Sequence, residues 1–93
     1  MIRLIQNTPD EIDRGIAARL VRIRKRRKIS QRKLAEKSGV SLGSLKRFEQ
    51  TGAISLHSLT KLAIALEIEN ELEELFGAVP FTSIEEVINE QNI

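Results

Sequence analysis

Ser30-Gln31-Arg32-Lys33-Leu34-Ala35-Glu36-Lys37-Ser38-Gly39-Val40-Ser41, with Leu45 and Phe48 behind it, is the stretch on which the reading of this chain turns. Ser30 and Ser41 each stand where a side-chain oxygen can accept from the free amides that open a helix, so two helix starts fall eleven residues apart. The first helix then has only about two turns. Gly39 follows it where a chain leaving a helix needs positive φ, a conformation that a side chain makes costly. Ala35 presents almost no bulk, which lets the second helix cross closely over the first. The spacing predicts short helices over 31–38 and 42–50, joined by a glycine turn, with Leu45 and Phe48 in the core.

Toward the N-terminus, Thr8 can cap a helix, Pro9 suits its first turn, and Asp10 and Glu11 complement the positive end of its dipole. Ile12, Ile16, Leu20 and Ile23 continue at helical spacing, so a helix is expected over 9–27, with Ile29 entering the core before Ser30. Residues 1–7 alternate weakly and read as a short strand or an ordered arm. Toward the C-terminus, Thr51-Gly52 closes a helix, and Leu56, Leu59, Leu62, Ala63 and Leu66 predict the next one over 56–66. A short acidic helix over 69–76, with Leu72, Leu75 and Phe76 on its apolar side, is ended by Gly77 and Pro80. In the tail, Thr82 or Ser83 precedes Glu85 and Glu86 at capping-box distance. Phe81, Ile84, Val87 and Ile88 fall on one face there, either to fold back as core or to form a dimer or partner contact.

The expected fold class is therefore all-α: a compact five-helix domain with a short N-terminal arm and a C-terminal helical tail. The divisions are an arm over 1–8, a domain over 9–77 containing the helix pair 31–50, and an acidic tail over 78–93. Ninety-three residues with 41% apolar content and three Phe as the only aromatics fit one small domain with an aliphatic core. With no cysteine and a single histidine, disulfides, thiolate metal sites and multi-histidine sites are excluded, and neither metal nor cofactor is expected. No apolar stretch approaches the roughly twenty residues that span a bilayer, and no signal-peptide pattern opens the chain, which predicts a soluble, cytoplasmic protein. Catalysis is not expected: there is no phosphate-binding glycine loop and no serine with a histidine partner, and the glutamates sit on outer helix faces.

A formal net charge of +2 conceals a strong polarity along the chain. Residues 1–52 hold fourteen Lys and Arg against five Asp and Glu, whereas residues 53–93 hold one Lys against eight Glu. The basic half carries the short helix pair. A positive surface concentrates a polyanion, and each phosphate it neutralises releases condensed counterions. The run Arg22-Ile23-Arg24-Lys25-Arg26-Arg27-Lys28 reads either as a solvated helix end or as phosphate-contacting, and its place immediately before the pair favours contact. Two helices at this spacing on a basic surface have the layout of a DNA-binding helix-turn-helix.

From about Ile16 to Ile68 the chain resembles the XRE group of transcription regulators, which includes the phage Cro and repressor DNA-binding domains. The resemblance rests on Ile29-Ser30-Gln31, Leu34-Ala35, Gly39-Val40-Ser41, Leu45 and Phe48-Glu49, followed by Leu59, Leu62-Ala63 and Leu66. It implies a five-helix repressor-like fold whose second motif helix enters the major groove of double-stranded DNA, with homodimers reading palindromic operators. It places Gln31 on a backbone phosphate, with Arg32 beside it, and puts base-reading positions at Leu42, Gly43 and Arg47.

Arg47 is the leading candidate for base recognition, because a guanidinium can bond guanine O6 and N7 together. Ser41 and Ser44 suit phosphate, and Lys46 suits phosphate, base or solvent. Leu42 and Gly43 depart from the polar pair often found at these positions; an exposed Leu42 could pack on a thymine methyl. Gly43 reads either as a point of close approach or as a tolerated surface glycine. Glu49 is assigned to structure, through local backbone or a nearby cation. The Thr51-Gly52 amides and Ser55 lie where the next helix opens and can address a phosphate; His57, on that first turn, either helps there or is an incidental surface histidine. The overall plan also looks similar to HipB-like antitoxins, which repress their own operon as dimers and bind a HipA-type kinase toxin. A stand-alone regulator and a bridging adaptor that no longer reads DNA are the alternatives.

Overall fold

The computed structural model describes residues 7–78, and among these every regular element is helical. Five helices follow in order: α1 Pro9–Arg26, α2 Gln31–Ser38, α3 Leu42–Thr51, α4 Leu56–Ala65 and α5 Glu69–Glu73. Residues 1–6 of the expected arm, and the tail face of Phe81, Ile84, Val87 and Ile88, lie outside the described residues.

The first four helices open on hydroxyl caps, at Thr8, Ser30 and Ser41 as predicted and also at Ser55. Thr8, Ser30, Ser41 and Ser55 each take extended backbone and accept from the amide three residues on, that of Glu11, Lys33, Ser44 and Ser58 respectively. Each such cap contributes about 1 kcal/mol by satisfying an amide that the helix itself cannot. Gly39 ends α2 at φ 78° and Gly52 ends α3 at φ 83°. Gly52 has a second reason to lack a side chain: a Cβ there would lie 2.7 Å from the Asp13 carbonyl carbon. The C-terminus of α3 thus packs directly on the backbone of α1, where the Arg14 guanidinium also donates to the Gln50 carbonyl at 3.0 Å.

α1 packs against α3, α2 against both α3 and α4, and α4 against α5. Ala17, Leu20, Leu34, Ala35, Val40, Leu45, Phe48, Leu62 and Leu66 form the buried cluster between them. Burying each leucine or phenylalanine stabilises the fold by about 1.5–3 kcal/mol, so the core is built from the helix-pair residues and the stripes on either side of them. Ala35 is buried where α2 meets its neighbours, and Leu45 and Phe48 are in the core as their spacing predicts.

Two expectations are corrected. α5 is shorter than 69–76, because the helix stops at Glu73 and Phe76 turns into the left-handed region at φ 61°. Leu75 and Phe76 are consequently exposed rather than forming an apolar side. Ile12, on the predicted stripe of the first helix, is also half exposed. It lies in the first turns of α1, before the buried positions Ala17 and Leu20 begin.

Candidate nucleic-acid interface

The site begins with a charge in the wrong place for solvent. Arg24 falls four residues after Leu20, on the stripe that α1 turns inward, and is only 8% exposed. A buried guanidinium must be paired and hydrogen-bonded. Its Nε and Nη2 donate to the two carboxylate oxygens of Glu49 at 2.8 and 2.9 Å, and its Nη1 donates to the Ile29 carbonyl at 2.9 Å. Glu49 Oε1 accepts a further bond from Gln31 Nε2 at 2.9 Å. Three elements meet at one carboxylate: the end of α1, the start of α2 and the last turns of α3.

This cluster corrects the sequence reading of Arg24, which belongs to the interior and not to the solvated or phosphate-contacting run around it. The signal was present in the spacing from Leu20, but the seven-residue block of mostly cationic residues hid it. Glu49 has the structural role expected of it. Gln31 is half-buried, and its amide nitrogen is held by Glu49. The side chain is therefore oriented from behind, at the point where the resemblance places a phosphate.

The residues placed on α3 form one exposed strip. Gly43, Ser44, Lys46 and Arg47 are exposed, with Ser41 exposed at the cap. Lys46 and Arg47 make no ion pair among the described residues, where the salt bridge is that of Arg24 with Glu49. Ser41 is committed to the helix start: its Oγ accepts from the Ser44 amide at 3.1 Å and donates to Ser44 Oγ at 2.9 Å. Leu42 differs from an exposed contact residue, since it is partly buried against the core. A Cβ built on Gly43 meets nothing within 4 Å, so internal packing does not require glycine there.

Ser44 and Arg47 share a cleft with Ala53, Ile54, Ser55 and Ser58, which brings the open face of α3 beside the start of α4. Thr51 sits at the far end of α3, its hydroxyl donating to the Arg47 carbonyl at 2.7 Å and accepting from the Ala53 amide at 3.1 Å. Those two bonds shape the turn into α4. His57 is exposed on the first turn of α4, and Arg32 is exposed on the first turn of α2. The fold thus sets the start of α4 beside the open face of α3 and ties the start of α2 to α3 through Gln31 and Glu49, with exposed cations on α2 and α3.

No group of three or more histidine, cysteine, aspartate or glutamate side chains that could hold a metal occurs among the described residues. No helix among them is long and apolar enough to cross a membrane.

A helix-turn-helix family model matches residues 20–69, taking in the end of α1 and all of α2, α3 and α4. No match to the chain was found among curated proteins or among solved structures. The capped α2, the glycine turn at Gly39 and the exposed cationic strip on α3 lie inside the matched residues, and the chain belongs to the XRE-type helix-turn-helix family of DNA-binding transcription regulators.

Proposed function

We propose that this regulator is a sequence-specific repressor that binds a palindromic operator as a homodimer, with α3 lying in the major groove. The observation that carries the reading is the strip Gly43, Ser44, Lys46 and Arg47, exposed on a helix whose opposite face holds Leu45 and Phe48 in the core. A helix anchored this firmly can present side chains to base edges in a fixed register. Arg47 reads guanine through a bidentate contact, and Gln31, Arg32 and Ser44 address phosphates that set the docking without specifying sequence. The role is binding and not catalysis.

The acidic segment 67–74 that follows α4 turns away from the polyanion under this reading. It leaves an apolar groove lined by Ile16, Leu20 and Ile23 of α1, Leu56, Leu59 and Ala63 of α4, and Leu72 of α5, with no residue from α2 or α3. Such a groove is available to a second copy or to a protein partner. The resemblance to HipB-like antitoxins makes that partner a HipA-type kinase, with the regulator repressing the operon that encodes both.

The test is a mobility-shift titration of the DNA upstream of the chain's own gene, run beside a duplex of scrambled sequence and with Arg47→Ala in parallel. Preferential retardation of the upstream duplex, lost in the variant, supports the repressor. Equal retardation of both duplexes removes sequence reading. Leu42, half-buried, and Gly43, without a side chain, leave few polar groups in the first turn of α3, which favours an adaptor as the second reading. An adaptor binds neither duplex. Co-purification of a kinase with the tagged chain separates the antitoxin from a stand-alone regulator.

A further inference from the structure

Five exposed cations, Arg22, Lys25, Arg26, Arg27 and Lys28, surround the one inward-facing arginine at the end of α1. None of the five makes an ion pair among the described residues. The corner that follows is a doubly bonded helix stop, with the Lys28 amide donating to the Lys25 carbonyl at 2.9 Å and the Ile29 amide to the Arg24 carbonyl at 3.2 Å. This pattern requires a left-handed residue at its centre, a place usually taken by glycine. Here it is Lys28, at φ 56°.

The chain does use glycine for this purpose at Gly39 and Gly52, the ends of α2 and α3. Glu67 and Phe76 also adopt positive φ, but they lie in the acidic half; Lys28 is the one set among cations. A side chain kept where the backbone favours none directs attention to what that side chain meets.

The corner is also held in register with the reading helix. Arg24 bonds the Ile29 carbonyl and Glu49 together, and Glu49 bonds Gln31, so residues 29–31 are tied to α3 two positions beyond Arg47. When α3 lies in a groove, this corner lies at the edge of the same unit and not on a separate arm. Resting on the DNA-binding reading of α3, we propose that Lys28, supported by Arg27, is a phosphate-contacting residue that extends the footprint onto the duplex backbone flanking the strand held by Gln31. Lys28 stands two residues before the Ser30 cap of α2, and the bond from the buried Arg24 to the Ile29 carbonyl holds the backbone that carries it. The contact carries charge but no sequence information.

The experiment measures affinity by fluorescence anisotropy for two duplexes, one selected from a random pool with the wild-type protein and one of unselected sequence, between about 50 and 200 mM salt. Lys28→Gly keeps the left-handed backbone and removes the charge, and Lys28→Arg keeps the charge. The expected result is a Lys28→Gly protein that melts no lower than wild type while its plot of log affinity against log salt is shallower on both duplexes by about 0.9 for each Lys28 lost, about 1.8 for a bound homodimer. Lys28→Arg retains the wild-type slope. An unchanged slope in Lys28→Gly overturns the proposal, as does a change confined to the selected duplex, which would mark a base contact. If the wild type binds and Lys28→Gly matches it, only this proposal falls; if the wild type binds neither duplex, the reading of α3 falls with it.

Discussion

Arg24 on α1 and Glu49 on α3 meet through two parallel bonds of 2.8 and 2.9 Å, with both side chains less than a tenth exposed. Twenty-five residues separate them, and nothing local brings them together. The pair fixes the angle between the helix that carries the basic corner and the helix that carries Arg47. Removing one partner strands a buried charge, which costs about 3–5 kcal/mol. Glu49→Ala is therefore expected to lower the urea midpoint sharply. Replacing both residues with apolar side chains of similar volume recovers much of the loss. A Glu49→Ala protein that unfolds at the wild-type midpoint removes this pair from the framework of the fold.

Arg47 stands on the opposite footing. It is exposed and carries no ion pair among the described residues, so Arg47→Ala changes folding stability by no more than about 0.5 kcal/mol. Under the proposed reading its effect is expected to fall on recognition, where a bidentate contact to guanine is worth about 1–3 kcal/mol of discrimination. Thermal melts and competition titrations on matched and mismatched duplexes measure the two separately.

Two glycines respond in opposite directions to alanine. Gly43 has no atom within 4 Å of a built Cβ, so Gly43→Ala should stabilise the free protein by about 0.5–1 kcal/mol through helix propensity. If the face of α3 lies against DNA, the added methyl lowers affinity while raising the melting temperature. Gly52→Ala meets the backbone of Asp13 and Arg14 at 2.7–2.8 Å at a φ of 83°, and is expected to unfold the domain or force α1 away from α3. Paired melting curves of the two variants provide the check.

The cap of α2 offers a milder test. Ser30 Oγ accepts from the Lys33 amide at 3.0 Å, and Ser30→Ala should cost about 0.5–2 kcal/mol. Because α2 has only eight residues and supplies Gln31 at its first position, fraying there is also expected to weaken DNA binding. Ser30→Asp, which restores an accepting oxygen, recovers stability; a loss it does not reverse means that the hydroxyl acts otherwise.

The helices were legible where short-range rules apply. Hydroxyl caps, glycine stops and i, i+4 apolar spacing depend on residues within a few positions of one another, so Thr8, Ser30, Ser41, Gly39 and Gly52 mark their boundaries from the chain alone. The end of α5 was less legible, because a five-residue helix with no side-chain cap has little local signal and Phe76 leaves it in a left-handed turn. Within the site, the exposed cations of α3 could be read from the positions left over once Leu45 and Phe48 were assigned to the core.

The sequence by itself determined the element order, the helix-turn-helix and the separation of a basic half from an acidic one, since each follows from neighbours along the chain. Only the tertiary structure decided that Arg24 is interior, that Glu49 joins it to Gln31, that Leu42 leans on the core and that Gly52 must admit the backbone of α1. The reason is physical: a charge in a basic run has the same composition whether it faces water or a carboxylate twenty-five residues away. Burial is a property of how the helices cross.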